Sequence, residues 1–362
     1  MKYTSETKEA IELLKTLISI PSTSRNEKDA ADEIGIFIQK CGFPYHRKGN
    51  NIWIADPEYD PLQKTILLNA HIDTVKPSGA WTRNPFCPET DNGRLYGLGS
   101  NDCGGGLVAL LQSFRIITGQ GKRHCMRNKP RNYNLVYLAS CEEEISGKGG
   151  FGLVRPELPH IDAAIVGEPT GMQPAIAEKG LVVIDGTAHG ITGHAARNEG
   201  ENAIYKVLDD ILWLRSYKFK KTSPLLGATK MSVTIINAGS QHNVIPDECT
   251  FTIDVRTNEL YTNEEVFEII KKNVKSEVKA RSFRLNSSRI DMSHPIVKQC
   301  TGMGMKPFGS PTLSDQALMP WDSLKLGPGE SSRSHSADEY ILLGEIEDAI
   351  DKYVSILCGL DF

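Results

Sequence analysis

The chain lacks any long apolar run: nowhere do about 18 apolar residues stand together, so no membrane-spanning helix is expected. Its first residues, Met1 to Lys8, lack the apolar core of a signal peptide. Charge of one sign is also missing. With 41 Lys plus Arg against 45 Asp plus Glu, the formal net charge is −4, which argues against nucleic acid as the main partner. None of the eight cysteines (Cys41, Cys87, Cys103, Cys125, Cys141, Cys249, Cys300 and Cys358) falls in CxxC spacing. Free thiols in a reducing cytoplasm are expected, rather than a disulfide framework or a Cys-type zinc site. No internal repeat is present. No dinucleotide fingerprint follows a strand either: Gly147-x-Gly149-Gly150-x-Gly152 comes nearest, with the wrong spacing.

What is present points to two domains, since 362 residues exceed the usual size of one hydrophobic core. Ile11, Leu14, Leu17 and Ile18 stand at helical spacing and predict a helix over residues 5–18, ended by Ile20-Pro21. Short apolar runs at 52–55, 65–70, 135–139 and 163–166 read as strands, with a helix over 106–117 between the second and third. Strands alternating with helices, without tight hairpin signals, predict a mostly parallel sheet with helices on both faces. From about residue 178 the order becomes strand (180–189), helix (202–214), strands (230–237 and 250–257), helix (263–274) and strand (277–285). That is the βαββαβ order of a ferredoxin-like domain, inserted as 178–288 into a first domain made of 1–177 and 289–362. A last helix is expected over 343–357. The basic stretch 120–134 reads as a solvated loop.

The chemistry-bearing residues gather at predicted strand ends, where open α/β sheets collect ligands. His71-Ile72-Asp73 follows the second strand, Cys141-Glu142-Glu143-Glu144 the third, and Gly167-Glu168-Pro169 the fourth. The glycine-rich Gly97-Leu98-Gly99-Ser100-Asn101-Asp102 precedes a helix; it reads equally as a phosphate cradle or as a turn aiming Asp102 inward. His335 stands between Gly327-Pro328-Gly329 and Asp338-Glu339. Asp73, Asp102, Glu143, Glu144 and Glu168 in one cleft would carry a charge that two divalent ions nearly balance. Histidine with carboxylate suits zinc or a similar borderline metal.

The set His71-x-Asp73, Gly-x-Gly-Ser-x-Asp102, Glu143-Glu144, Gly167-Glu168-Pro169 and His335 resembles the acetylornithine deacetylase / succinyl-diaminopimelate desuccinylase group of the M20 dizinc metallopeptidases. The likeness runs from Ile20-Pro21-Ser22 to Glu339. It implies a zinc-peptidase-like catalytic domain and a lid/dimerisation domain. It further implies two Zn2+, with Co2+ as a possible substitute: Asp102 bridging, His71 and Glu168 on one ion, Glu144 and His335 on the other. Glu143 would be the general base, the triple glutamate being read with Ile145 and Gly147 behind the pair. Asp73 would hold the His71 ring through its other nitrogen. Cys103 and Cys141 beside these residues read as packing residues, with thiol ligation as the alternative. Where relatives carry Lys-Gly one residue beyond the bridging Asp, this chain has Gly104-Gly105 after Cys103, one positive charge fewer.

The implied reaction is hydrolysis of the amide bond of an N-acyl amino acid, N-acetylornithine in arginine biosynthesis first. Glu143 would take a proton from metal-activated water and pass it to the departing amine. Same-chemistry alternatives are N-succinylated citrulline, ornithine or diaminopimelate, N-acetyl-lysine and dipeptides. Gly190-Ile191-Thr192-Gly193-His194 resembles the group's lid motif, so His194 is expected to donate to the oxyanion across a homodimer, while His189 reads as inert. Asn243 and Arg256 resemble the substrate-binding pair, and Gly327 and Gly329 could offer backbone N–H groups to the same carboxylate. A catalytically silent binding protein on this fold would lack a ligand or base; none is missing.

Overall fold

The computed structural model describes residues 3–122, 131–197 and 199–362. Cys125 and most of the basic stretch 120–134 therefore lie outside the described residues. The chain divides into two compact units: 1–176 with 290–308 and 314–362, and 177–289 with 309–313.

The first unit is a mixed α/β fold around a mostly parallel sheet. Strands Tyr133–Ser140, Lys64–His71, Ala163–Val166 and Asp322–Lys325 lie side by side and parallel. Asn51–Ala55 and His46–Lys48 extend one side antiparallel, and Ala175 meets Lys325 antiparallel on the other. Both faces of the central strands are buried, which is why they read as unbroken apolar runs. Leu67, Val136, Leu138, Ala164 and Val166 pack with Phe151 and Val154 on one face. On the other, the Tyr137 hydroxyl donates to the Leu107 carbonyl of helix Gly105–Ile117 at 3.2 Å, and that helix packs against Ser5–Ile18 and Leu343–Cys358.

Three features of this unit depart from expectation. Strand Asp322–Lys325, deep in the sheet, has only Leu324 as an apolar residue and carries no apolar run to betray it. Helix Lys28–Lys40 buries a narrow stripe (Ala30, Ala31, Ile34, Ile38) hidden among charges. A tight hairpin is present after all: Glu89–Asp91 and Arg94–Tyr96 are joined by Asn92-Gly93, both at positive φ as a two-residue turn needs. Tyr340–Leu342 pairs with this hairpin and brings the tail beside the Gly97–Asp102 turn.

The second unit has its four main strands in the order Lys230–Ala238, Glu248–Thr257, Gly180–His189, Glu277–Ala280, all antiparallel. Burial alternates along Gly180–His189, as it does when one sheet face is packed. Helices Ala203–Ser216 and Asn263–Asn273 bury Val207, Leu214, Val266 and Ile270 in the same core as Val182, Ile184, Phe251 and Ile253. The last strand ends at Ala280 instead of 285, because Leu285 turns its carbonyl to Leu181 N–H and to the buried Asn263 amide.

Among the described residues six cysteines are free thiols, but Cys358 is disulfide-bonded, so the expectation of free thiols throughout does not hold. Among the described residues no helix is long and apolar enough to cross a membrane.

Phe251 is 2% exposed and lies opposite Gly186, whose missing side chain leaves room for its ring. Phe251→Ala should destabilise the second unit by about 3–5 kcal/mol. The expected outcome is lost amide-exchange protection in Gly180–His189 and Glu248–Thr257 while Lys64–His71 stays protected; uniform protection would contradict this packing account.

Candidate metal centre and active site

Four parallel strands deliver their carboxyl ends to one edge. His71 ends the first, Glu143 and Glu144 follow Ser140, Glu168 follows Val166-Gly167, and Gly327 follows Lys325-Leu326. Asp102 comes from the turn closed by Gly104 N–H donating to the Gly99 carbonyl, just before helix Gly105–Ile117. That helix can approach only because position 106 is glycine: a Cβ there would stand 1.8 Å from the Gly167 carbonyl oxygen.

Asp102 is the centre of the arrangement. His71 Nε2 lies 3.2 Å from its Oδ1 and 3.7 Å from Glu168 Oε1. On the other side, His335 Nε2 lies 3.7 Å from Asp102 Oδ2 and 2.9 Å from Glu144 Oε2. One carboxylate thus turns one oxygen to each His–Glu pair. Donor atoms of His71, Asp102 and Glu144 all lie within 4.8 Å of one another, and so do those of His71, Cys103 and Glu168.

Electrostatics test whether these residues fit metal ions. Burial, with the charge of Asp102 next, pushes both Glu168 and Glu339 up to about 8. Burial and the charge of Glu168 drive Glu143 well above the usual carboxylate range. Burial is the largest influence on Asp102 and would raise it, but the hydrogen bond and charge of His71, with Ser334 and His335, together outweigh burial and hold the carboxyl low. The hydrogen bond to Glu144 raises His335 to about 9. Glu168 Oε1 is buried without a hydrogen-bond partner. Carboxylates this crowded, one oxygen orphaned, with two imidazoles between them, fit a pair of divalent cations.

Asp73 sits beside the cluster in a different way from the one expected. The His71 ring is held at Nδ1 by the main-chain carbonyl of Asp73, at 2.9 Å, while the carboxylate stands 3.6 Å away. That carboxylate instead accepts the N–H groups of Glu143 (3.0 Å) and Glu144 (3.2 Å) and the Ser24 hydroxyl (2.7 Å). It therefore orients the Glu143–Glu144 pair. Glu142 faces elsewhere, accepting Gly149 N–H at 3.1 Å. Cys103 Sγ accepts His71 N–H at 3.2 Å, and Cys141 Sγ donates to the Gly149 carbonyl.

Gly327 is not free to serve a substrate. Its N–H donates to Thr170 Oγ1, and its carbonyl accepts from Thr170 and Met172. Gly329, at φ +81°, accepts from Gly171 N–H. Within the second unit His194 and Asn243 are neighbours: Gly193–His194 pairs with Val244–Ile245, and Ala195 N–H donates to the Asn243 carbonyl. Arg256, on strand Glu248–Thr257, already clasps Asp254 with Nε at 2.8 Å and a terminal nitrogen at 3.0 Å.

Sequence reasoning missed a layer of buried polar residues. Ser140 donates to Asp315 at 2.7 Å and Asn69 to Ser140 at 2.9 Å, beneath the cleft. Glu339 accepts three backbone N–H groups of the Asp102 turn. Its only sequence signal was an acid pair close to His335.

A match to the peptidase family M20/M25/M40 covers residues 67–359. The chain is 26% identical over 382 residues to the succinyl-diaminopimelate desuccinylase of Orientia tsutsugamushi (strain Boryong), spanning 96% of this chain and 95% of that one. It is 24% identical over 387 residues to the acetylornithine deacetylase of Buchnera aphidicola subsp. Acyrthosiphon pisum (strain Tuc7), spanning 96% and 98%. Its fold is similar to that of the Bacillus subtilis YXEP protein, a dinuclear metal binding peptidase from the M20 family. The TM-score is 0.73 at 15% identity, over 98% of each chain. With the family match over residues 67–359 spanning most of its length, the chain belongs to peptidase family M20/M25/M40, metal-dependent peptidases and amidohydrolases.

Proposed function

We propose that this chain is a two-zinc amidohydrolase that removes the acyl group from an N-acyl amino acid, N-acetylornithine first among substrates. The observation that carries the proposal is Asp102 offering one oxygen to His71 and Glu168 and the other to Glu144 and His335. His71, Asp102 and Glu168 would hold one ion, and Asp102, Glu144 and His335 the other. Such a pair, when bound, supplies Lewis acidity for an amide carbonyl and makes a water acidic near neutral pH. Glu143 is the base: it is the acid of the pair not engaged with His335, and its main chain is fixed by Asp73. It takes the water's proton and returns it to the departing amine.

His194 supplies the oxyanion donor. Its Nδ1 accepts Ala196 N–H at 3.1 Å, which leaves Nε2–H as the donor. Asn243 and Arg256 are proposed substrate contacts. Residues 178–288 serve as lid and dimerisation domain. Tyr205, Leu208 and Leu212 on helix Ala203–Ser216 and Ile235 and Ile236 on the edge strand Lys230–Ala238 are exposed apolar side chains suited to a second copy of this chain. A cytoplasmic setting is supported by the six free thiols, with the disulfide at Cys358 against it.

A second reading keeps the chemistry and changes the acyl group, because desuccinylases of diaminopimelate match over the same span as acetylornithine deacetylases. Amine release by the zinc-reconstituted enzyme from N-acetylornithine and N-succinylcitrulline, side by side, separates the two. Preference for the acetyl substrate is expected; preference for the succinyl substrate moves the assignment to desuccinylation, and inactivity on both to dipeptides.

The metal and base assignments part on mutation. Glu143→Ala should retain two zinc ions per chain by elemental analysis and lose about 10²–10⁴-fold in kcat, the usual worth of a general base. Glu144→Ala should lose metal; the reverse pattern would shift the register by one residue.

The lid and the dimer share one test. His194→Ala and Glu143→Ala chains should each be nearly inactive alone, yet partly active after mixing under conditions that exchange subunits. Mixed dimers pair an intact base with an intact lid histidine only if His194 serves the partner's site. No recovery after verified exchange would place His194 in its own subunit's site or outside catalysis.

A further inference from the structure

We infer that Glu339 is a positioning residue that ties the two halves of the metal centre together, an inference resting on the metal-site assignment above. Its side chain is buried, in a residue 2% exposed, and both oxygens are spent on one turn. Oε1 accepts Asn101 N–H at 2.8 Å and Asp102 N–H at 2.9 Å, and Oε2 accepts Gly99 N–H at 3.2 Å. The Glu339 carbonyl also accepts Gly97 N–H at 3.0 Å. Four of the six backbone N–H groups along Gly97–Asp102 are thereby fixed to one residue. Immediately beyond it, Tyr340 pairs with Tyr96, so the turn is held at its entrance too.

Four residues before Glu339 stands His335, itself at φ +58° and bonded to Glu144. The segment His335–Glu339 thus carries one ligand directly and sets the main chain of another, Asp102, which serves both ions. Asn101 reinforces the tie: its amide donates to the Glu330 carbonyl and Ser334 Oγ, and its oxygen accepts Glu330 N–H. A carboxylate is the group such a turn requires. Three converging N–H donors need acceptor-only oxygens, and charge-assisted hydrogen bonds are the strong ones. Glutamine has nearly the same shape but only one acceptor atom. In either orientation its NH₂ faces at least one buried N–H, and the turn must shift. Because Asp102 sits between the two His–Glu pairs, that shift degrades both ion sites at once rather than one.

The test is metal binding, read without turnover. Calorimetric titration of metal-free wild type with Zn2+ is compared with Glu339→Gln, and the visible spectrum of the Co2+-loaded proteins reports coordination geometry. Partners that orient ligands typically contribute about 10–100-fold in affinity, so Glu339→Gln should weaken uptake by that factor and alter the Co2+ bands. The metal-free variant should melt close to metal-free wild type, which separates a displaced ligand from a broken fold. Should Glu339→Gln fail to fold, Glu339→Asp, which keeps the charge one methylene short, is read the same way. Wild-type affinity with an unchanged Co2+ spectrum in a folded variant overturns the inference. Wild type that takes up neither Zn2+ nor Co2+ overturns the metal-centre assignment itself, and Glu339 with it.

Discussion

The confinement of like charge around Asp102 is the constraint on which the rest of the first unit depends. Asp102, Glu144 and Glu168 meet His71 and His335 within hydrogen-bonding or near-contact distance, and Glu143 feels the charges of both Glu168 and Glu144. Acids this close cannot all ionise without cations, and burial makes the conflict sharper. A fold can hold such a cluster only if its ligands come from elements that cannot relax away. The parallel strands answer that need: buried on both faces, they fix His71 at a strand end and anchor the short turns that carry Glu144 and Glu168. The remaining polar groups then act on backbone rather than on metal. Asp73 pins the amides of Glu143 and Glu144, and Glu339 pins those of Gly99, Asn101 and Asp102.

How much of this was legible depends on whether a residue's role is carried by its own type or by its neighbours in space. His71, Glu144 and Glu168 were singled out because His and acids at apolar strand ends are costly without a purpose, and Asp102 and His335 through glycine-rich turns and the family resemblance. The βαββαβ order was legible because the second unit is built from local periodicity, with Gly180–His189 alternating and both helices amphipathic. Strand Asp322–Lys325 was not, since its burial comes from flanking strands far away in sequence and its side chains include Ser323 and Lys325. The hairpin at Asn92-Gly93 was readable from its turn dipeptide alone, but its three-residue strands carry no periodicity to draw attention. Asp73 shows the finer limit. Its place near His71 followed from spacing, yet which atom faces the imidazole depends on a backbone turn that spacing does not encode.

The same limit explains the glycines at 327 and 329. A Gly-Pro-Gly turn after a strand suggests free N–H groups for an anion, and that expectation is reasonable on local grounds alone. In the fold, Gly327 is a packing solution: its Cα lies so near the neighbouring loop that a Cβ would stand 2.4 Å from the Glu168 carbonyl oxygen. Its hydrogen-bonding groups go to Thr170 and Met172, which seat the Glu168 loop. Gly327 thus supports the backbone that carries Glu168, a proposed metal ligand.

Arg256 presents the opposite case, a side chain already paired yet still available. Its clasp on Asp254 has two hydrogen bonds, but the two side chains are 35% and 31% exposed. Ion pairs that water can reach contribute only about 0–1 kcal/mol, because solvent competes for both partners. A substrate carboxylate offering the same two-pronged geometry could replace Asp254 at little cost, which the buried acids of the first unit could not allow. Under the proposed assignment, His71, Asp102, Glu144 and Glu168 would keep their geometry through burial, whereas groups that exchange partners would stay near water. Arg256 and the exposed His194, as proposed contacts, would both belong to the second kind. Their contribution is set by what they meet, not by how tightly the fold holds them.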